Sequence, residues 1–152
     1  HLENQQEATA RGVLAAAAET GALERTVLFW DTTDEVFYES TDRGYYASHP
    51  PTDLGGMLNR SFSSQGIAYN VFLTYEDASG DQSERRMIYQ GRPSDNAVSA
   101  SWTLALFDDD RIVTPSGTGP ELGATSDFYA PDVGGSSSLY NVVRVEVVVW
   151  RI

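Results

Sequence analysis

Apolar side chains recur at Ala10, Val13, Leu14, Ala17 and Ala18, the stripe of a helix, whereas from Ile67 onward they alternate with polar ones. A helix with one apolar stripe must bury it, and an alternating strand offers one apolar face. A chain that opens on the first period and continues on the second is constrained to lay helix on sheet, an α+β fold. The spacing predicts a helix from His1 to Thr20, ended by Gly21 in the left-handed conformation, with Ala22-Leu23 closing over the last turn. Gly12, inside that helix, costs about 1 kcal/mol relative to alanine, which predicts that the Gly and Ala face packs closely on something flat.

The remaining elements are read from local signals. Thr26 to Trp30 is predicted as a strand, Asp31 to Asp34 as a turn and Glu35 to Glu39 as the returning strand of a hairpin. After the His49-Pro50-Pro51 connection, Leu54, Met57, Leu58 and Phe62 fall at helical spacing, so a short second helix is expected near 52–62, with Thr52 or Asp53 as its N-cap. Ile67, Tyr69, Val71, Leu73 and Tyr75 then share one strand face. The turn Asp77 to Asp81 leads to a partner strand over about Glu84 to Gln90, an antiparallel pair.

Ala97 to Phe107 is a further strand, with Val98, Ala100, Trp102, Leu104 and Leu106 expected inward and Ser99, Ser101 and Thr103 outward. Ile112-Val113 is read as a short strand, and 114–138 as a long aperiodic connection pinned by Phe128-Tyr129. The C-terminal strand, 140–151, carries Val143, Val145, Val147 and Val149 on one face and is expected to be central or covered by a helix. With no charge run or low-complexity block to divide it, the chain of 152 residues is expected to form a single soluble domain, 1–152.

Charge narrows the environment. Twelve Asp and ten Glu oppose ten Arg, Lys is absent, and the formal net charge is −12. Such a surface repels nucleic acid and anionic headgroups, so no nucleic-acid partner is expected. Disorder is excluded by the apolar strands. Scattered carboxylates without lysine fit a medium of high salt, where a Debye length of about 3 Å at 1 M screens self-repulsion. The absence of cysteine removes disulfides and thiolate metal sites. No apolar run reaches the ~20 residues that cross a bilayer.

No motif for catalysis stands out, and no catalytic, cofactor or metal residue is assigned. The only imidazoles are His1 and His49, there is no G-x-S-x-G elbow, and Gly134-Gly135-Ser136-Ser137-Ser138 lacks its second glycine. Asp108-Asp109-Asp110 lacks the glycine and distal glutamate of a calcium loop and reads as an acidic hairpin tip, as do Asp77, Gly80 and Asp81. An alternative uses the amino group and ring of His1 with His49 as a third nitrogen, a set that suits tetragonal Cu(II) as in copper-dependent polysaccharide monooxygenases. On that reading the chain is a secreted polysaccharide-binding module or a copper (histidine-brace) oxygenase, and Tyr45 and Tyr46 are candidates to stack on sugars.

The run HLENQQEATARGVLAAAAETGALERTVLFWD, the segments GIAYNVFLTY and MIYQGRPSDNAVS, and the ending FYAPDVGGSSSLYNVVRVEVVVWRI resemble a group of haloarchaeal, pilin-like (type IV pilin or pseudopilin-like) membrane-anchored surface proteins of uncharacterised function. The resemblance implies a headgroup in which the N-terminal helix packs on an antiparallel sheet. It also implies an apolar anchoring helix upstream of His1. The function it implies is non-enzymatic and extracellular: a subunit of a surface filament or assembly, acting in assembly, adhesion or secretion, its partners being other protein subunits and, through the upstream helix, the membrane.

Overall fold

The N-terminal helix, α1 (Leu2–Thr20), buries Ala10, Val13, Leu14 and Ala17 and leaves its other side in solvent, as the stripe requires. The computed structural model describes residues 2–152. Gly21 ends α1 with φ 81°, a conformation that glycine adopts without strain. Gly12 differs from the expectation: it is exposed, and a Cβ there would have nothing within 4 Å. It lies on the side of α1 turned away from the sheet, so no packing within the fold accounts for it.

Past Gly21 the chain continues as a second helix, α2 (Ala22–Val27), where a strand from Thr26 was expected. Ala22, Leu23, Thr26 and Val27 are all buried, the four-residue recurrence of a helix, and that period overrides the β-propensity of the Thr-Val-Leu-Phe-Trp run. The Thr26 hydroxyl donates back to the Ala22 carbonyl at 3.0 Å, which satisfies it inside a helix. The expected hairpin shrinks to β1 (Trp30–Asp31) and β2 (Val36–Phe37), paired antiparallel. The Asp31 carboxylate accepts from the Thr33 and Asp34 amides to build the turn between them.

The second helix expected near 52–62 is α3 (Asp53–Ser61), and Thr52 is its N-cap, accepting from the Gly55 amide at 3.2 Å. Leu54, Leu58 and Phe62 are buried on one side. Gly55 is indispensable for a steric reason: a Cβ there would sit 1.8 Å from the Pro50 carbonyl oxygen.

Four long strands form the main sheet, β3 (Ile67–Glu76), β4 (Gln82–Tyr89), β5 (Val98–Phe107) and, from the far end of the chain, β8 (Leu139–Arg151), in the order β4-β3-β8-β5. Every neighbouring pair is antiparallel. The last strand is therefore internal, and α1 lies across it and β5. Val143, Val145, Val147 and Val149 point into the core with Tyr69, Val71 and Leu73. Trp102 keeps the parity of Ala100 and Leu104 but is 36% exposed, against the expectation that it is inward, because β5 is an edge strand with no neighbour beyond it.

The 114–138 segment is more ordered than its composition predicts. It contains the end of β6 (Arg111–Thr114), the unforeseen strand β7 (Gly117–Glu121) and a 3-10 turn, Leu122–Ala124. Glycine at 117, with φ 151°, permits the tight reversal between β6 and β7. As expected, Phe128-Tyr129 pins the segment to the body: the Tyr129 ring stands 5.0 Å from Trp30 and its hydroxyl donates to the Val27 carbonyl at 2.6 Å. The Trp30 indole N–H in turn donates to the Asp127 carbonyl at 2.7 Å. An aromatic cluster thus holds the part of the segment beyond β7 that makes no strand pairing.

Gly55→Ala is expected to destabilise the chain by about 2 kcal/mol or more, since backbone must move to admit the methyl group. The denaturation midpoint of the purified variant measures this.

Candidate interaction surfaces

The surface divides according to what the strands and helix turn outward. On the open side of the sheet, the register places Tyr89, Asn70, Val148 and Ser99 in one row across the strands, and Arg86, Phe72, Glu146 and Ser101 in the next. These rows mix rings, charges and hydroxyls, a wettable face except at Asn70, which is buried and hydrogen-bonded to the Gln90 amide and the Gly91 carbonyl. The outward line of α1 is different: Ala8, Gly12 and Ala16, four residues apart, are all exposed and small.

At the β4 edge the connection that carries Tyr45 folds against the sheet, because the Tyr46 amide donates to the Met87 carbonyl and the Tyr89 amide to the Tyr46 carbonyl, both at 2.8 Å. Tyr46 is itself buried, its hydroxyl donating to the Tyr38 carbonyl at 2.5 Å, so it cannot stack on a sugar as its sequence context had suggested. Tyr45 is half-buried and meets Tyr89 edge to face at 5.8 Å. The Arg86 guanidinium stacks on Tyr89, 3.7 Å from the ring centre, and Arg43 donates to the Tyr45 hydroxyl at 3.4 Å. From the inner side, Arg85 lies 4.9 Å over the Trp30 ring, and its Nε is buried without a hydrogen-bond partner among the described residues. Together Arg43, Gly44, Tyr45, Glu84, Arg85 and Arg86 line an open pocket of about 290 Å³. Sequence reasoning did not assign this group. Its signal was the adjacent pair Arg85-Arg86 in a chain without lysine, and the connection that completes it comes from a part of the chain too distant for any local pattern to span.

At the opposite edge, β5 ends in the turn Asp108-Asp109-Asp110, where Asp110 accepts from the Phe107 amide at 2.7 Å and so closes its own turn. Burial, then the charge of Asp132 beside it, holds the Asp108 carboxyl above the ordinary range. Glu24 is raised in the same way, by burial first and then by Asp110. No group of three or more His, Cys, Asp or Glu among the described residues is placed to hold a metal ion. Asp77 accepts from the Ser79 and Asp81 amides and acts as a turn former. Ser137 donates to the Gly134 carbonyl within its loop. His49 is exposed, with Ser48 at 3.4 Å, while His1 lies outside the described residues.

A second cavity, of about 260 Å³, opens between α2, the start of α3 and β6, lined among others by Arg25, Thr26, Phe29, Glu39, Thr52 and Asp53. Arg25 reaches Asp53 at 3.5 Å across its mouth. None of the described helices is long and apolar enough to cross a membrane.

The profile of a family of unknown function (DUF7288) matches residues 1–149, nearly the whole chain. The chain belongs to that family. No curated protein and no solved structure matches this DUF7288 chain. The matched residues include the described helices and nearly all of the sheet.

The buried tyrosines tie this DUF7288 chain's stability to alkaline pH. Burial, then the Asp132 and Asp108 charges, pushes the Tyr140 hydroxyl up to about 12, and burial raises Tyr46 and Tyr129 in the same direction. Below about pH 10 these groups are neutral in both states, and above it the unfolded chain loses protons first. Stability should therefore fall as pH rises from about 10 toward 12, and Tyr140→Phe should flatten that fall; denaturant midpoints against pH measure it. At low salt Asp108→Asn should raise the melting temperature by removing a crowded charge, and the gain should shrink at about 1 M salt.

Proposed function

We propose that the chain is a non-enzymatic, pilin-like subunit of a haloarchaeal surface assembly, in which the sheet is the headgroup and α1 is the side that meets a scaffold. The observation that carries this reading is Gly12. A glycine in a helix interior costs about 1 kcal/mol, and here no neighbour within 4 Å of a Cβ needs its smallness. Its demand for space comes from outside the fold. Ala8 and Ala16 extend the same exposed line, so a second helix can approach the α1 backbone closely along it.

The acidic, lysine-free surface supports an extracellular setting of high salt, and the family resemblance supports a membrane anchor and a filament or secretion role. In such a protein the work is mechanical: α1 joins scaffold to sheet, and the sheet and loops meet neighbouring subunits or the medium.

Two measurements on one substitution test this. Gly12→Ala should stabilise the free chain by about 1 kcal/mol, because propensity rises and nothing clashes. In the cells that make the protein it should lower the amount assembled, because the added methyl group separates the helices. Since the chain has no cysteine, Ala8→Cys or Ala16→Cys supplies a single thiol, which should cross-link to a neighbouring subunit on intact cells, whereas Ser79→Cys in the β3–β4 turn should not. An unchanged assembly in Gly12→Ala, with no adducts along α1, would refute the proposal.

A further inference from the structure

The pocket at the β4 edge is anomalous in a chain of net charge −12. Arg43, Arg85 and Arg86 converge there, with Glu84 the one carboxylate on its lining. The described ion pairs take up Arg11, Arg25, Arg111 and Arg144, and none involves these three. Ring faces hold the guanidinium groups of Arg85 and Arg86 instead. A guanidinium stacked on a ring keeps its in-plane N–H fork free, so Arg86 presents donors to a carboxylate in a fixed orientation. Arg43, exposed and tied to the Tyr45 hydroxyl, presents a second fork beside it.

The complementary feature lies at the other edge of the same sheet. Asp109 is exposed and Asp108 half-exposed in the turn after β5, and no described ion pair neutralises that turn. Phe107, 41% exposed, stands immediately before it, an unpartnered ring next to the exposed Asp109; Asp110 is taken up by the Phe107 amide and one Asp108 oxygen is buried. Rings and cations lie along one edge of the main sheet; a ring and anions lie at the end of the strand that forms its other edge.

We propose that the pocket lined by Arg43, Arg86 and Tyr45 receives the Phe107–Asp109 turn of a second copy of this chain. The contact is heterologous, since socket and knob are different surfaces, and sockets and knobs at opposite edges propagate copies head to tail. It deepens the filament reading above and rests on it, by naming the patch that joins neighbouring headgroups. Two copies of this charge repel at low ionic strength, and salt screens that repulsion while sparing pairs in contact. Association therefore strengthens as salt rises toward about 1 M, the reverse of a simple ion pair.

The test is sedimentation of the purified full chain over a range of concentration at about 1 M salt. Wild type is expected to form a concentration-dependent ladder of species that does not stop at a dimer. The pocket reversal, Arg43→Glu with Arg86→Glu, and the turn reversal, Asp108→Arg with Asp109→Arg, should each weaken association by about tenfold or more. Mixed in equal amounts, the two reversals should associate again, since each then offers the other a complementary surface. A control of equal net charge to the pocket reversal, Arg60→Glu with Arg92→Glu, should behave as wild type. Circular dichroism checks folding, and if a reversal unfolds, Arg86→Gln and Asp109→Asn are read in its place and should each weaken association. A wild type that stays monomeric, reversals without effect, a mixture that fails to recover, or a control as weak as the pocket reversal overturns the contact. Cross-linking along α1 that persists in that case leaves the surface-subunit reading standing.

Discussion

Four valines at alternate positions of one strand hold this molecule together. Val143, Val145, Val147 and Val149 are fully or almost fully buried, and each such side chain contributes about 1.5–3 kcal/mol on leaving water. Their strand pairs on both sides, with β3 and with β5, so the same residues that make the core also set the register of their neighbours. Removing it leaves β3 and β4 as a lone hairpin and β5 as a strand with nothing to pair, arrangements that are marginal in water. Helix α1 then has no sheet to cover.

What was legible in the sequence was what repeats. The alternation in β3, β5 and β8 and the stripe in α1 each run for ten residues or more, long enough for the period to outweigh local preference. Thr26 to Trp30 misled because four of its five side chains are β-branched or aromatic and carry a strong preference, while the helical recurrence that wins begins before them, at Ala22 and Leu23. The 114–138 segment hid β7 because a strand of Gly-Thr-Gly-Pro-Glu has no alternation to read. It is held by its own Tyr129 packing on Trp30 and Phe37, cross-strand partners in the β1–β2 hairpin about ninety residues upstream.

The interaction surfaces were less legible, and for two different reasons. Gly12 was visible as an oddity, but which side of α1 it occupies depends on how the helix is rotated against the sheet, a tertiary quantity. The arginine pocket needs Arg43 and Tyr45 beside Arg86 and Tyr89, a neighbourhood created by backbone hydrogen bonds between the Tyr46 segment and the β4 edge. Charge totals concealed it further, since a composition so acidic directs attention to carboxylates.

The internal position of β8 has a consequence in time. Chains emerge from the ribosome from the amino end at about 5–20 residues per second, and here α1, β3 and β5 all emerge before the strand that they flank or cover. Contacts between the first and last elements close loops nearly as long as the chain, which slows their formation. Until Leu139–Arg151 has emerged, β3 can pair with β4, but β5 has no strand to pair with. The four-stranded sheet therefore closes only when the strand made last inserts between strands made earlier.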